Sequence, residues 1–329
     1  MTRKRAGSRA GATIVAFALA SGLAGCAVPD DHQEDTVPSD DPAAPIAGTF
    51  DLGDGRRMYL ECAGTGYPRV FIIPGQRAGA AEWMAVADGV DGTPVFQQVS
   101  AQTRTCTYDR PGTPFENTPT SRSDPVPMPT TAQAMVDDIH ALLQAAGETG
   151  PSIIVAHSLG GLPALLYCAE YPDAVVGLIM VDALTPLLRD NETPEQWEIQ
   201  KVLLTGDIAE TLVEYPDLER ADLDTSFDQV GARLQDLREM PYVVISADHP
   251  WGPQVEEAFA AGGLPDGVPS DFGYVLDNAL LGAREQAAQL IPGGVRISET
   301  DSGHIVHQEQ PQLVADAILG MVDAVRAAN

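Results

Sequence analysis

Two apolar stretches in the middle of the chain limit the folds that it can adopt. Residues 152–156 read SIIVA and residues 177–181 read GLIMV, and neither stretch alternates polar with apolar side chains. A strand with one face in water alternates, whereas a parallel strand covered on both faces is apolar throughout. The two stretches therefore predict parallel strands in the middle of a sheet that has helices on both faces.

Strand-like and helical segments alternate along most of the chain. The strand-like segments are 57–62, 69–73, 103–108, 152–156, 177–182, 242–247 and 294–299. Residues 130–147 carry apolar side chains at helical spacing, and a final helical pattern opens at Pro311. This alternation predicts an α/β fold with a mostly parallel central sheet. Sheets of this kind carry their chemistry at the carboxyl ends of the strands.

One connection is too long to be a simple crossover between neighbouring strands. Residues 184–240 separate two consecutive strand-like segments, and Thr193 and Pro194 begin a helical pattern within them. We expect this segment to form a helical cap inserted over the carboxyl edge of the sheet. Its apolar residues, Trp197, Leu203 and Leu204 among them, fit either packing inside the cap or the lining of a pocket.

A second segment, residues 249–275, is rich in Pro and Gly and shows no clear period. Such a composition favours a surface loop. The alternative is a second lip of a substrate pocket, for which Trp251, Phe259 and Phe272 would supply the apolar lining.

The first 25 residues have the parts of an export signal. A basic segment, TRKR, precedes an apolar run from Ala12 to Ala24 that is too short to span a bilayer. The four residues that end at Cys26 read LAGC and resemble a bacterial lipobox, in which the signal is removed before the cysteine and the thiol is lipidated. We expect residues 1–25 to be a lipoprotein signal and Cys26 to anchor an exported protein, facing outside the cytoplasm. The alternative is a secretory signal with an incidental cysteine.

Residues 26–48 are dominated by Asp, Glu, Pro and small side chains, so we expect a flexible acidic tether before a globular domain at 49–329. The whole sequence has 19 basic and 47 acidic residues and a net charge of −28. Such a charge repels phosphate backbones and anionic headgroups. Nucleic acid is therefore excluded as a partner, and membrane association is expected only through the lipid anchor.

The cysteines lack the spacing of metal ligands. They lie at Cys26, Cys62, Cys106 and Cys168 without a CxxC or Cys/His pattern, so we expect no metal site. With Cys26 lipidated, at most one disulfide can form. Cys62 and Cys106 lie in strand-like segments, whereas Cys168 lies in an apolar helical run, so Cys62–Cys106 is the favoured pair.

Residues 153–161, IIVAHSLGG, have the pattern of a serine in a sharp turn between a strand and a helix. Such a turn needs small residues at the second positions before and after the serine, which are here Ala156 and Gly160. The turn exposes the hydroxyl, and the N-terminal N–H groups of the helix favour a developing oxyanion. Ser158 is therefore predicted to be a catalytic nucleophile.

Together with this motif, residues 49–327 resemble the α/β-hydrolase fold superfamily. The segment FIIPGQRAG at 71–79 is similar to the oxyanion loop of that family, with Pro74 in place of the usual histidine. The further landmarks in chain order are the DRPG turn in TYDRPG (107–112), the strand end VDAL (181–184) and the histidine loop DSGHIVHQEQP (301–311). The resemblance implies the α/β-hydrolase fold with an inserted cap.

The resemblance also implies roles for individual residues. The backbone N–H groups of Gln76 and Leu159 would form the oxyanion hole, and His304 would be the base that activates Ser158. His307 would be a neighbour of the base, and His157 would serve in packing. In the family's strand order, segments 57–62 and 103–108 lie side by side, which supports the Cys62–Cys106 disulfide.

The carboxylate of the triad has two candidates. Most members of the family place it in the turn after the strand represented here by 242–247, where Asp248 arrives about two residues early. Some members use the end of the preceding strand, where this chain has Asp182. We favour Asp182, with Asp248 as the alternative.

These observations predict an exported serine hydrolase that cleaves an ester or related acyl bond through an acyl-enzyme. The expected partner is a small-molecule acyl substrate, and no cofactor is expected. The alternative is a catalytically silent member of the same fold that binds a small ligand or a protein partner. Retention of both the serine and the histidine favours the enzyme.

Overall fold

The computed structural model describes residues 44–115, 118, 120–206 and 208–328. These residues form a sheet of eight strands in the order β1-β2-β4-β3-β5-β6-β7-β8. The strands are β1 (Ile46–Asp51), β2 (Arg57–Ala63), β3 (Arg69–Ile73), β4 (Thr105–Tyr108), β5 (Ser152–His157), β6 (Val175–Val181), β7 (Tyr242–Ile245) and β8 (Val295–Ile297). Strands β3 to β8 run parallel, and β2 pairs antiparallel with both β1 and β4. The predicted α/β-hydrolase fold is confirmed.

Helices cover both faces of the sheet. They are α1 (Val95–Ser100), α2 (Ala132–Ala145), α3 (Gly161–Glu170), α4 (Leu187–Asp190), α5 (Pro194–Thr205), α6 (Ala209–Glu214), α7 (Leu223–Gly231), α8 (Trp251–Ala260), α9 (Phe272–Ala287), α10 (Val306–Glu309) and α11 (Pro311–Ala328). The β5 residues Ile154 and Ala156 face one buried cluster, whereas Ile153 and Val155 face the other. Both faces of β5 are therefore dry, as its unbroken apolar sequence predicts.

The folded domain starts earlier than expected. Strand β1 begins at Ile46, so the last residues assigned to the tether at 26–48 belong to the sheet rather than to a linker. Ile46 and Gly48 are buried while Ala47 is exposed, and the strand pairs with β2 from Ile46–Cys62 to Asp51–Arg57. Because Ala47 and Gly48 have weak strand preference, pairing with β2 rather than local sequence defines the start of this strand.

The long connection between β6 and β7 holds α4, α5, α6 and α7. Helix α5 begins with a capping box in which the Thr193 side chain and Gln196 satisfy each other's backbone N–H groups. Trp197 of α5 packs on Phe227 of α7 with ring centroids 4.6 Å apart. Trp197 is thus part of the packing that holds the cap together.

The expectation of a surface loop at 249–275 is wrong for most of that segment. Helix α8 lies within it, and α9 begins at Phe272. A side chain at Gly252 would meet the ring of Tyr274, and one at Gly273 would meet the backbone of Trp251. The glycines therefore permit two helices to pack closely. The Pro and Gly content of the segment predicted a loop because composition alone does not distinguish these two uses of glycine. Phe272 is buried, whereas Phe259 is exposed.

The predicted disulfide is present. Cys62 and Cys106 are register partners in the antiparallel β2–β4 pair, and their sulfurs are bonded. Cys168 of α3 is buried with a free thiol.

The predicted signal at 1–25, the lipidation site Cys26 and most of the predicted tether lie outside the described residues. Within the described part of the chain, we find no helix with the length and apolar character needed to cross a membrane.

Candidate active site

Ser158 lies in a tight turn between β5 and α3. Its φ of 51° is in the left-handed region, which is uncommon for a residue with a side chain. A Cβ on Gly160 would come within 2.6 Å of the carbonyl oxygen of Ile73. Since that contact is with backbone, only glycine fits this position. The close approach of β3 to this turn explains the small residue that the sequence motif requires.

Three side chains from distant parts of the chain form a hydrogen-bonded row at this turn. The Oγ of Ser158 is 2.9 Å from Nε2 of His304, and Nδ1 of His304 is 2.7 Å from Oδ2 of Asp182. A carboxylate only accepts hydrogen bonds, so Nδ1 carries the imidazole proton. Nε2 is then free to accept the proton of the Ser158 hydroxyl, which is the tautomer that a general base requires.

Asp182 follows the last residue of β6 and is buried, with its side chain 5% exposed. Its Oδ1 accepts hydrogen bonds from Arg284 of α9 at 2.6 Å and from the backbone N–H of Ala247 at 3.2 Å. Burial alone would raise the pKa of Asp182, but the hydrogen bond from His304 and the charge of Arg284 hold it below its ordinary value. The carboxylate beside His304 is therefore ionised at neutral pH.

The alternative acid, Asp248, has a different set of partners. Its carboxylate accepts backbone N–H groups from Thr300, Asp301 and Ser302 at 2.9–3.0 Å. These residues form the loop that leads to His304. Asp248 thus shapes the histidine loop through its backbone, while the carboxylate in contact with the imidazole is that of Asp182.

The loop after β3 runs directly against the serine turn. A Cβ on Gly75 would come within 3.1 Å of the Cβ of Ser158. The next residue is Gln76, and Leu159 directly follows the serine at the start of a 3₁₀ turn (Ser158–Gly160) that leads into α3. The two backbone segments predicted to form an oxyanion hole therefore flank Ser158.

A second group of polar residues, made of the buried His157 and His307 and the partly buried Glu82, lies behind the imidazole of His304. Nε2 of His157 is 3.0 Å from the backbone carbonyl of His304, so this nitrogen carries the proton and supports the histidine loop. The carboxylate of Glu82 is 3.8 Å from ring nitrogens of both His157 and His307. His307 stacks on Trp83 with ring centroids 4.1 Å apart. Burial lowers the pKa of His157 to about 3 and raises that of Glu82 to about 7.

Two groups of described residues bring potential metal-ligating atoms within 4.8 Å of one another. One consists of Glu82, His157 and His307, the types that bind zinc. The other contains Cys62 and Cys106, whose sulfurs are joined in the disulfide. The hydrogen-bonded row of Ser158, His304 and Asp182 requires no ion for the chemistry of its groups.

Trp251, one of the residues named for a pocket lip at 249–275, lies beside the site. Its ring centroid is 5.8 Å from that of His304. The backbone N–H of Trp251 donates to the Asp277 carboxylate at 2.7 Å, which ties the start of α8 to α9. Helices α8 and α9 therefore bring an aromatic side chain to the imidazole from one direction and Arg284 to Asp182 from another.

Sequence reasoning missed the charged residues that lie around the central row. Arg284 and Glu82 are single charged residues without a motif around them, and both lie far along the chain from the groups that they contact. Glu219, a cap residue that pairs with Arg110 after β4, likewise gives no local signal. The one available clue to Arg284 is the rarity of basic residues, 19 in the whole chain.

Comparison with known proteins agrees with this architecture. Residues 70–317 match the sequence profile of the alpha/beta hydrolase family. An uncharacterized protein of Schizosaccharomyces pombe is 32% identical over 85 residues, which are 26% of this chain and 15% of that protein. The chain spans less than a fifth of the length of the curated relatives that it matches.

Two solved structures share the fold at low sequence identity. A thermophilic esterase from Thermogutta terrifontis is 20% identical with a TM-score of 0.51, covering 86% of this chain and 99% of that one. Carboxylesterase CesB from Bacillus subtilis is 16% identical with a TM-score of 0.54, covering 86% of this chain and 93% of that one. With the family profile matching most of its length, the chain belongs to the alpha/beta hydrolase family.

Proposed function

We propose that this hydrolase is a serine esterase that cleaves an ester or related acyl bond through a covalent acyl-enzyme. The observation that carries the proposal is the hydrogen-bonded row of Ser158, His304 and Asp182, with 2.9 Å and 2.7 Å between successive partners. A nucleophile, a base and a group that orients the base are the parts that acyl transfer requires.

In the proposed acylation, the Oγ of Ser158 attacks the carbonyl carbon of the substrate while Nε2 of His304 takes the hydroxyl proton. The resulting imidazolium stays hydrogen-bonded to ionised Asp182, which stabilises its charge. The tetrahedral oxyanion accepts hydrogen bonds from the backbone N–H groups of Gln76 and Leu159. Collapse of this intermediate expels the alcohol, which receives the proton from His304.

In the proposed deacylation, water takes the place of the alcohol. His304 removes a proton from water, and the hydroxide formed attacks the acyl-enzyme carbonyl. The same oxyanion hole stabilises the second intermediate, and Ser158 leaves with the proton held by His304. Water and ester are thus converted to alcohol and acid without a redox partner.

We also propose that the enzyme works outside the cytoplasm on a lipid anchor at Cys26. The support is the order of a basic segment, an apolar run and LAGC at the start of the sequence. A disulfide between Cys62 and Cys106 fits an oxidising compartment. Replacement of Cys26 by Ala should release soluble protein into the medium, and detergent partitioning that survives this change would contradict the anchor.

The esterase proposal is tested with p-nitrophenyl esters of increasing acyl length, using wild type and Ser158→Ala. We expect turnover by wild type, with a burst of p-nitrophenol where deacylation is slow, and loss of both in the variant. The chain-length profile then defines the acyl preference. An unchanged rate in Ser158→Ala would rule out this nucleophile, and a folded wild type inert to all acyl substrates and to acylating probes would indicate a binding protein.

A further inference from the structure

A buried ion pair joins the cap to the loop beside the nucleophile. Arg110 follows β4, and Glu219 lies in the cap between α6 and α7. Nε of Arg110 is 2.5 Å from Oε1 of Glu219, and the two side chains are 3% and 1% exposed. A pair so fully removed from water persists only if its remaining donors and acceptors are also satisfied.

The remaining groups of this pair bind consecutive peptide units of the loop after β3. Arg110 donates from Nη1 to the carbonyl of Pro74 at 2.8 Å and from Nη2 to the carbonyl of Gly75. Oε2 of Glu219 accepts the backbone N–H of Arg77. Arg77 needs such a restraint, because its φ of 55° is in the left-handed region.

The peptide unit in the middle is the one that matters for the reaction. The carbonyl of Gly75 and the N–H of Gln76 belong to the same trans peptide, so they point in opposite directions. Since Arg110 holds the carbonyl, the Gln76 N–H must point away from the guanidinium. A cation on the carbonyl also polarises the peptide and makes its N–H a stronger donor.

Glu219, the cap residue of this ion pair, is itself held in place by further hydrogen bonds. The backbone N–H of Glu219 donates to the carbonyl of Gly112 at 2.9 Å, and the side chain of Arg77 donates to the carbonyls of Glu219 at 3.3 Å and Thr205 at 2.7 Å. The loop after β3 is therefore enclosed between the β4 turn and the cap. Its conformation depends on a carboxylate that the cap supplies.

We propose that Arg110 and Glu219 are positioning residues that orient the Gln76 N–H as an oxyanion donor, so that the cap completes the catalytic machinery. The inference rests on the proposed esterase function. Neither side chain touches the substrate in this account. They act through the backbone of Gly75 and Arg77.

The chain contains a matched control at the opposite edge of the sheet. Arg69 is 3.1 Å from Glu148, and Arg104 is 2.6 Å from the same carboxylate, with both guanidinium side chains buried and the Glu148 side chain 14% exposed. This group of three charged residues also joins separate segments of the fold, but it lies at the amino ends of β3 and β5, away from Ser158. Glu148→Gln therefore perturbs a comparable ion pair without touching the loop.

The experiment compares Glu219→Gln and Glu148→Gln in unfolding midpoint, kcat, KM and affinity for an alkyl trifluoromethyl ketone, which forms an oxyanion on the nucleophile. Both variants should lose stability. Only Glu219→Gln should lower kcat, by about 10²–10³, as expected for a lost oxyanion donor. The affinity of this variant for the ketone should fall by a similar factor, and its KM should stay nearly unchanged. If Glu219→Gln does not fold, Glu219→Asp, which keeps the charge but has a shorter reach, should lower kcat at least about tenfold.

The outcomes separate this inference from the proposed function. If wild type and Glu148→Gln hydrolyse esters and the Glu219 variants match them in kcat and ketone affinity, the positioning role is wrong and the esterase stands. If wild type hydrolyses no ester and binds no ketone, the proposed function fails and this inference fails with it.

Discussion

The ends of β6 and β7 each carry an aspartate, and the two have different partners. The strands are adjacent, with Val181 paired to Ile245, so Asp182 and Asp248 lie at the same edge of the sheet. Asp182 is buried against two side chains, the imidazole of His304 and the guanidinium of Arg284. Asp248 is exposed and bound by a row of backbone N–H groups. A place at this edge of the sheet is therefore not enough to bring a carboxylate to the imidazole of His304.

Local backbone geometry accounts for much of this difference. Asp182 has a φ of 41°, in the left-handed region. Its N–H donates to the carbonyl of Ile245 at 2.7 Å, which keeps it against β7 as the chain leaves the sheet. Asp248 and His249 instead donate their backbone N–H groups to the carbonyl of Ser302. One strand end therefore supplies a carboxylate to the imidazole, and the other fastens the loop that carries it.

The largest expected effect is that of Asp182→Asn. An amide cannot stabilise the imidazolium of His304, and it can hold the ring in the wrong tautomer, so kcat/KM should fall by about 10⁴. Steady-state kinetics on a p-nitrophenyl ester measures the change, with circular dichroism to show equal folding. Near-normal turnover in this variant would mean that the acid lies elsewhere.

Asp248→Asn should have a smaller effect of a different kind. The amide oxygen can accept fewer backbone N–H groups than the carboxylate, so the loop before His304 should lose about 1 kcal/mol of stability. Turnover should fall by less than about tenfold, because the contacts of the imidazole remain. A loss in Asp248→Asn that approaches that of Asp182→Asn would remove the distinction between the two strand ends.

The smallest expected effect is on the acid stability of the fold. Both carboxyl groups have a lowered pKa in the folded protein, so the unfolded chain takes up protons first as the pH falls. Their stabilisation is complete above about pH 5 and is lost progressively below about pH 4. In Asp182→Asn, stability should fall less steeply below about pH 4 than in wild type. Asp248→Asn should reduce this steepness less, because water screens the Asp248 carboxylate.

The histidine behind the site gives this pH experiment an internal control. Burial lowers the pKa of His157 to about 3, so the unfolded chain also takes up this proton first, and the contribution of His157 to stability falls from about pH 6.5 downward. Both Asp variants keep His157, so the part of the stability change with pH that His157 causes should be the same in both. Thermal unfolding between pH 7 and 3 measures the slopes, and an Asp182→Asn slope below pH 4 equal to that of wild type would contradict the assignment.

The sheet and the disulfide could be predicted from the sequence. Unbroken apolar runs such as that of β5 report burial on both faces directly, and the serine turn has a local signature that includes Gly160. Helix α8 was missed because its glycine serves close helix packing, which depends on Tyr274 and is not a property of the local sequence.

The partners in the candidate site are less accessible to sequence reasoning. The choice between Asp182 and Asp248 depends on which of two neighbouring strand ends faces the imidazole. The sequence is compatible with either strand end in that place. Arg284 and Glu219 reach the site from α9 and the cap over separations that no spacing rule covers. These contacts arise from the tertiary packing of helices. The sequence pattern of each helix indicates only which of its faces is apolar, not what that face contacts.

Every role proposed for the residues around His304 depends on Ser158 being a nucleophile, and covalent labelling tests this most directly. Wild type and Ser158→Ala are treated with a fluorophosphonate, and intact mass and peptide mapping locate the adduct. We predict one adduct per wild-type chain, on the peptide that contains Ser158, and none on the variant at equal folded concentration. Equal labelling of Ser158→Ala, or an unlabelled wild type that still hydrolyses esters, would show that Ser158 is not the nucleophile.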